Sequence, residues 1–127
     1  MRCSCKGVVD YITDRYGYAA EIGIGHFPDV ALALIERGVQ VFATDIRPFQ
    51  HNGVNVVVDD VTQPNLSLYA GVQLIYSLRP PPELVAYMER VAAAVSADLI
   101  VKPLASEYAG GKLISRANTS FFLWDTT

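Results

Sequence analysis

The sequence predicts a doubly wound α/β fold: a mostly parallel sheet with helices on both faces and an antiparallel hairpin at its C-terminal end. Three observations carry that expectation. Short Val/Ile-rich runs alternate with segments of helical periodicity along the chain, and strands apolar on both faces belong to parallel sheets covered on both sides. Right-handed crossovers between such strands then give a doubly wound order. The 127 residues suit one domain, expected to span 1–127. With 51% hydrophobic and 18% charged residues, the chain can bury a core.

Val8, Val9, Ile12 and Tyr16 recur at helical spacing before Gly17. Tyr18 to Ile22 reads as a short buried strand running into Gly23 and Gly25. Pro28 and Asp29 suit a helix's first turn, where proline's missing N–H costs nothing and a carboxylate meets the positive dipole end. That helix carries Val30, Ala31, Leu34 and Ile35 on one face and stops at Gly38. Val39 to Thr44 is a second strand with Asp45 at its end, and Arg47 to Gly53 is built from turn formers. Val54 to Val58 is a third strand, ended by Asp59 and Asp60; Gln63 to Tyr69 is ambiguous. Val72 to Tyr76 is a fourth strand, followed by Ser77 and Arg79-Pro80-Pro81-Pro82. Leu84, Val85, Met88, Val91 and Val95 mark a long helix from Pro82 or Glu83. Asp98 to Val101 is a fifth strand ending at Lys102-Pro103, and Lys112–Ser115 with Ser120–Trp124 form the terminal hairpin.

Ten basic against thirteen acidic side chains give a formal charge of −3, which argues against broad nucleic-acid binding. No apolar run reaches the roughly 18 residues of a membrane span, and Met1 to Lys6 lacks the apolar stretch of a signal peptide. A cytoplasmic protein with no membrane partner is expected. A disulfide between Cys3 and Cys5 would close a tiny strained loop. Only His26 and His51 could help those cysteines hold zinc. Two reduced thiols on a short arm, and no metal, are the expectation.

In doubly wound sheets, ligands bind outside the carboxyl ends of the strands at the topological switch point. The residues at five strand ends therefore belong together: Glu21 to Gly25, Asp45, Asp59 with Asp60, Ser77 with Arg79, and Lys102. Gly23 and Gly25 let backbone approach a ligand without a Cβ in the way, and the next helix aims its free N–H groups at the same space. Asp45 follows Gly25 by 20 residues, where an acidic side chain accepts hydrogen bonds from ribose hydroxyls. This pattern points to an adenosine-type ligand. Pro28 breaks the dinucleotide pattern, and the charge of Glu21 suits a cationic or zwitterionic ligand better than a pyrophosphate. Arg79 and Lys102 place two cations opposite the carboxylates. They either seat a carboxylate or phosphate or form a salt-bridge lattice between strand ends. Ser106 and Glu107 either border this crevice or form an ordinary polar loop, and His51 reads as solvated. Phe121, Phe122 and Trp124 read as core or as a sheet edge; an exposed aromatic edge would favour a homodimer.

Glu21-Ile22-Gly23-Ile24-Gly25-His26-Phe27 resembles the first motif of the class I S-adenosylmethionine-dependent methyltransferases, acidic-x-Gly-x-Gly-x-Gly, with Phe27 in place of the last glycine. The order and spacing of five strands across residues 18–104, and the terminal hairpin, are similar too. The resemblance implies S-adenosylmethionine or a related adenosine compound as ligand. It places the backbone around Gly23 and Gly25 on the methionine part, Asp45 on the ribose, and Asp59 or Asp60 on the adenine amino group. It also implies methyl transfer to an acceptor the sequence does not name, a reaction governed by proximity and alignment. More closely, the chain resembles a family of short archaeal proteins with a reduced form of this fold and no established reaction. Ser77-Leu78-Arg79-Pro80-Pro81 keeps the prolines of the Asn/Asp-Pro-Pro-aromatic motif found in many amino-methyltransferases, without its Asn or Asp. The rival reading is a non-catalytic module that keeps the fold to sense a ligand or bind a protein, which Phe27 and the absence of a substrate-recognition insertion favour. A nucleotide-dependent oxidoreductase is disfavoured by Glu21 and Pro28.

Overall fold

A computed structural model gives the structure of the chain, described over residues 5–103 and 110–126. Seven strands, β1 (Tyr18–Ile22), β2 (Gln40–Asp45), β3 (Asn55–Val58), β4 (Leu74–Leu78), β5 (Asp98–Lys102), β6 (Lys112–Arg116) and β7 (Thr119–Trp124), form one sheet in the order β3-β2-β1-β4-β5-β7-β6. The first five are parallel, and β7 runs antiparallel between β5 and β6. The doubly wound parallel sheet and its C-terminal hairpin are thus both present. The helices are α1 (Lys6–Arg15), α2 (Asp29–Glu36) and α3 (Val85–Val95), with 3-10 turns at Leu66–Tyr69 and Pro82–Leu84.

Alternation along the strands sorts the core into two layers. Ala19, Leu74, Tyr76, Ile100, Phe121 and Leu123 meet Val8, Val9 and Ile12 of α1 and Val30 and Leu34 of α2. From the opposite face Ala20, Ile22, Ile75, Leu99 and Val101 meet Val85, Met88 and Val91 of α3. Phe121 and Phe122 are buried, so they are core, and Trp124 is partly buried. No helix among the described residues is long and apolar enough to cross a membrane.

Three boundaries move for identifiable reasons. β4 begins after Gln73, whose side-chain oxygen accepts hydrogen bonds from the Gly17 and Tyr18 N–H groups at 2.6 and 3.2 Å. It then continues to Leu78, because pairing with β5 persists through Ser77–Val101 and Leu78–Lys102. The proline run delays α3: the chain enters through a 3-10 turn closed by the Leu84 N–H on the Pro81 carbonyl. The ambiguous segment is a 3-10 turn capped by Asn65, which accepts from the Ser67 N–H.

The terminal hairpin turns in two residues, with Arg116 paired to Thr119 and both Ala117 and Asn118 in the left-handed region, at φ +48° and +62°. Such turns favour Asn and Gly, and a left-handed alanine costs about 1–2 kcal/mol. Ala117→Gly should therefore raise stability by roughly 0.5–1 kcal/mol after glycine's own entropic penalty. Urea unfolding checks this; a lower midpoint would show that the turn tolerates alanine without strain.

Candidate functional site

The glycine turn lies at the carboxyl end of β1, between β2 and β4, where the strand order reverses. The Gly23 N–H donates to the Thr44 carbonyl at 2.8 Å, anchoring the turn to β2. Gly23 and Gly25 have φ of +76° and +53°, angles that L residues seldom adopt. A Cβ on Gly25 would meet no atom within 4 Å, and one on Gly23 would meet only Ser77 Oγ at 4.0 Å. Among the described residues nothing fills the space beside these glycines. Ser77 is buried, and its hydroxyl donates to the Ile22 carbonyl at 2.7 Å. It braces the base of the turn.

Asp45 reaches the same turn from β2. Its Oδ2 accepts the Gly25 N–H at 2.9 Å and its Oδ1 accepts the Arg47 N–H at 3.1 Å. An ionised carboxylate offers about four acceptor positions, so two remain for a ligand. On the other side of Gly25, His51 Nε2 lies 2.7 Å from the carbonyl oxygen. This corrects the expectation of a solvated His51: the loop after β2 folds back and docks on the turn. Phe49 sits between the two histidines, edge-on to His26 and parallel to His51. Ile46 and Val58, next to Asp45 and paired with it across β2–β3, leave apolar side chains exposed.

The two aspartates after β3 do different work from each other. Asp59 accepts from the Asn65 N–H and from the Tyr69 hydroxyl, which also bonds Thr44 Oγ1. Asp60 caps its own turn by accepting the Thr62 N–H and hydroxyl, and those bonds hold its carboxyl below its ordinary pKa. Asp59 is thus built into the loop that flanks Asp45, and Asp60 into the turn after it.

A small cavity of about 90 Å³ opens beside Gly23, lined by Cys5, Glu21, Ile24, Phe27, Leu78, Arg79 and Lys102. Phe27 leans on the α1/α2 layer and forms one wall. Glu21 is 1% exposed, and its Oε1 has no hydrogen-bond partner; nor has the buried hydroxyl of Tyr76, its cross-strand neighbour on β4. Burial raises the Glu21 pKa from 4.5 to about 8. The nearby Tyr76 hydroxyl opposes that rise without reaching hydrogen-bond geometry, and the charge of Asp45 adds to it. On the far rim, the Arg79 N–H donates to the Lys102 carbonyl at 2.6 Å, and Arg79 has φ +54°. Partial burial, then the Arg79 charge, hold the Lys102 ammonium below its ordinary pKa. Of the two alternatives for Arg79 and Lys102, the salt-bridge lattice is absent among the described residues, where ion pairs join only Lys6 and Arg37 to Asp10 and Lys112 to Asp125.

Cys5 is buried and disulfide-bonded, which corrects the expectation of two reduced thiols; Cys3 lies outside the described residues, as do Ser106 and Glu107. Among the described residues no group of three or more His, Cys, Asp or Glu is placed to hold a metal ion. Sequence reasoning missed His51, Tyr76 and Ile46. A tyrosine in an otherwise aliphatic strand was the available sign for Tyr76. Nothing in the loop's composition signals the docking of His51.

Solved structures that align with this fold include methyltransferases. The sugar N-methyltransferase KedS8 from Streptoalloteichus aligns with a TM-score of 0.56 at 13% identity, over 86% of this chain and 52% of its own. A methyltransferase from Silicibacter pomeroyi aligns with a TM-score of 0.56 at 10% identity, over 95% of this chain and 89% of its own. The mycinamycin-pathway methyltransferase MycE, solved with Mg, SAH and mycinamycin VI, aligns with a TM-score of 0.55 at 11% identity, over 91% of this chain and 43% of its own. The chain thus spans about half the length of KedS8 and less of MycE. At these identities the likeness is one of fold. Sequence relatives are archaeal: a UPF0146 protein of Archaeoglobus fulgidus is 44% identical over 118 residues, 91% of each chain. One of Pyrococcus abyssi is 35% identical over 118 residues, 87% of this chain and 90% of its own. The family model covers residues 7–125, and the chain belongs to the uncharacterised protein family UPF0146.

Proposed function

We propose that the chain binds S-adenosylmethionine or a related adenosine compound at the glycine turn, with the amino-acid end toward the Glu21 cavity. The observation that carries this reading is the buried carboxyl of Glu21, whose Oε1 has no hydrogen-bond partner, in the wall of a cavity beside Gly23. A buried polar atom without a partner is costly, and a ligand ammonium group would satisfy it while drawing the carboxyl toward its ionised form. A cavity of about 90 Å³ encloses only such a head group, since whole small-molecule sites start at about 300 Å³. The nucleoside would lie on the open shelf formed by Asp45, Ile46 and Val58, with ribose hydroxyls on the two free acceptor positions of Asp45. When bound, S-adenosylmethionine supplies an electrophilic methyl group, and this chain's residues would hold and orient it.

A second reading, a non-catalytic module, is favoured by one observation. Asp45 holds the N–H and His51 the carbonyl of Gly25, in the two peptides that flank its Cα, which suits a turn held for support. An amide-shift titration with S-adenosylmethionine, S-adenosylhomocysteine, NAD and ATP separates the two. Shifts at Gly23, Gly25 and Asp45 with the first two ligands are expected; none at millimolar concentration would leave the module. Asp45→Asn keeps one acceptor oxygen and should bind S-adenosylhomocysteine about tenfold more weakly. Asp45→Ala should in addition lose stability by about 1–3 kcal/mol, because the Gly25 and Arg47 amides lose their acceptor. Unchanged affinity in Asp45→Asn would remove the ribose assignment.

A further inference from the structure

Arg79 and Lys102 stand together without an acidic partner among the described residues, in a chain whose acidic side chains outnumber its basic ones thirteen to ten. Both line the cavity beside Gly23, and Glu21, which lines it too, pairs with neither. The Arg79 N–H bonds the Lys102 carbonyl at 2.6 Å, which fixes the two residues relative to one another across the ends of β4 and β5. Arg79 holds this position with a left-handed backbone at φ +54°, a strained conformation for any residue but glycine. Two like charges gathered at one rim repel, and Lys102 registers it: its ammonium is destabilised by partial burial and by the Arg79 guanidinium. A rim that keeps strain and repulsion together, with no ion-paired carboxylate among the described residues, is arranged for a negative charge that arrives from outside.

We propose that Arg79 and Lys102 form an oxyanion-binding site for the carboxylate or phosphate of a second small molecule, seated at the β4–β5 rim of the cavity. Arginine forks onto either group and lysine contributes a point charge. The site lies at the sheet position that follows β4, beside the glycine turn, so its occupant would face the end of the ligand proposed above. That placement as a second substrate rests on the adenosine reading; the oxyanion site itself stands on the two cations and their geometry.

The test is a titration of the whole chain at constant ionic strength with inorganic phosphate, with acetate and, as control, with chloride, following Arg79 Nε–H and the Lys102 Cε resonance. Saturable shifts at both residues with phosphate or acetate are expected, and the tighter of the two names the bearer. Arg79→Gln and Lys102→Gln should each weaken that binding about tenfold, while Arg79→Lys retains part of it. Chloride reproducing the shifts, or Arg79→Gln binding phosphate and acetate like the parent chain, would overturn the site. S-adenosylhomocysteine then distinguishes the occupants. If it displaces the anion while 5′-methylthioadenosine, which lacks the amino-acid end, does not, the cations seat the first ligand's own carboxylate and the second-molecule proposal fails. Anion binding with no response to either nucleoside would keep the oxyanion site and remove the adenosine reading.

Discussion

Gly7→Ala should destabilise the protein by about 3 kcal/mol, although alanine is the better helix former by about 1 kcal/mol. Gly7 lies in the first turn of α1, where the helix backbone presses on the β6–β7 turn. A Cβ there would overlap the Arg116 carbonyl oxygen and sit 2.7 Å from its carbon. These are backbone atoms at the base of a two-residue turn whose Ala117 and Asn118 are both left-handed, so the hairpin has little room to yield. Relief requires α1 to lift from the sheet and loosen Val8, Val9 and Ile12, all fully buried. Gly17→Ala is the control, because its Cβ would make only an ordinary 3.6 Å contact with Gln73, and it should change stability by no more than about 0.5 kcal/mol. Urea denaturation of the two variants decides the matter. Equal midpoints would show that α1 and the hairpin do not meet this closely.

Stability should fall as pH rises from about 5 to 8, and Glu21→Gln should remove most of that dependence. The folded-state pKa of Glu21 is raised by burial from 4.5 to about 8. Between those values the folded state keeps a proton that the unfolded state releases, so the group's contribution is complete below pH 4.5 and is lost as pH rises through 8. For a carboxyl this buried, the effect amounts to several kcal/mol. Asp10 and Asp60, whose pKa values are lowered, act in the opposite sense and only as pH falls below about 3.8, outside this window. Tyr76 works against the effect, because its buried neutral hydroxyl favours the ionised form of Glu21, while burial and that carboxylate push its own pKa well up. Glu21→Gln should therefore be the more stable protein at pH 8. Chemical denaturation at pH 5, 6.5 and 8 checks it; parallel curves for the two proteins would mean that Glu21 ionises as freely folded as unfolded.

The sheet was legible because its signals are local. β1 was readable in full from Tyr18 to Ile22, since a run apolar on both faces with glycines behind it has few other homes in an α/β chain. The helix α2 was marked by Pro28 and Asp29 at one end and its apolar stripe in between. Where boundaries shifted, a distant partner was responsible: Gln73 was drawn off to cap β1, and β5 held β4 in register through Leu78. The site was legible as a set of strand ends and not as a geometry. Arg79 and Lys102 could be named as neighbours, yet only the folded chain shows that the two cations stand without acidic partners among the described residues.

By itself the sequence determined the fold class, the glycine turn at the end of β1 and the residues collected around it, because periodicity and backbone freedom are properties of neighbouring residues. Tertiary structure alone decided what each of those residues faces. It set the carboxylate of Asp45 on the Gly25 N–H, brought His51 from a turn-rich loop to the carbonyl of the same residue, and buried Glu21 beside Tyr76 with Glu21 Oε1 and the Tyr76 hydroxyl unpaired. Those outcomes depend on strand register and loop docking across tens of residues, and the desolvation that shifts Glu21 exists only once the two layers close over β1.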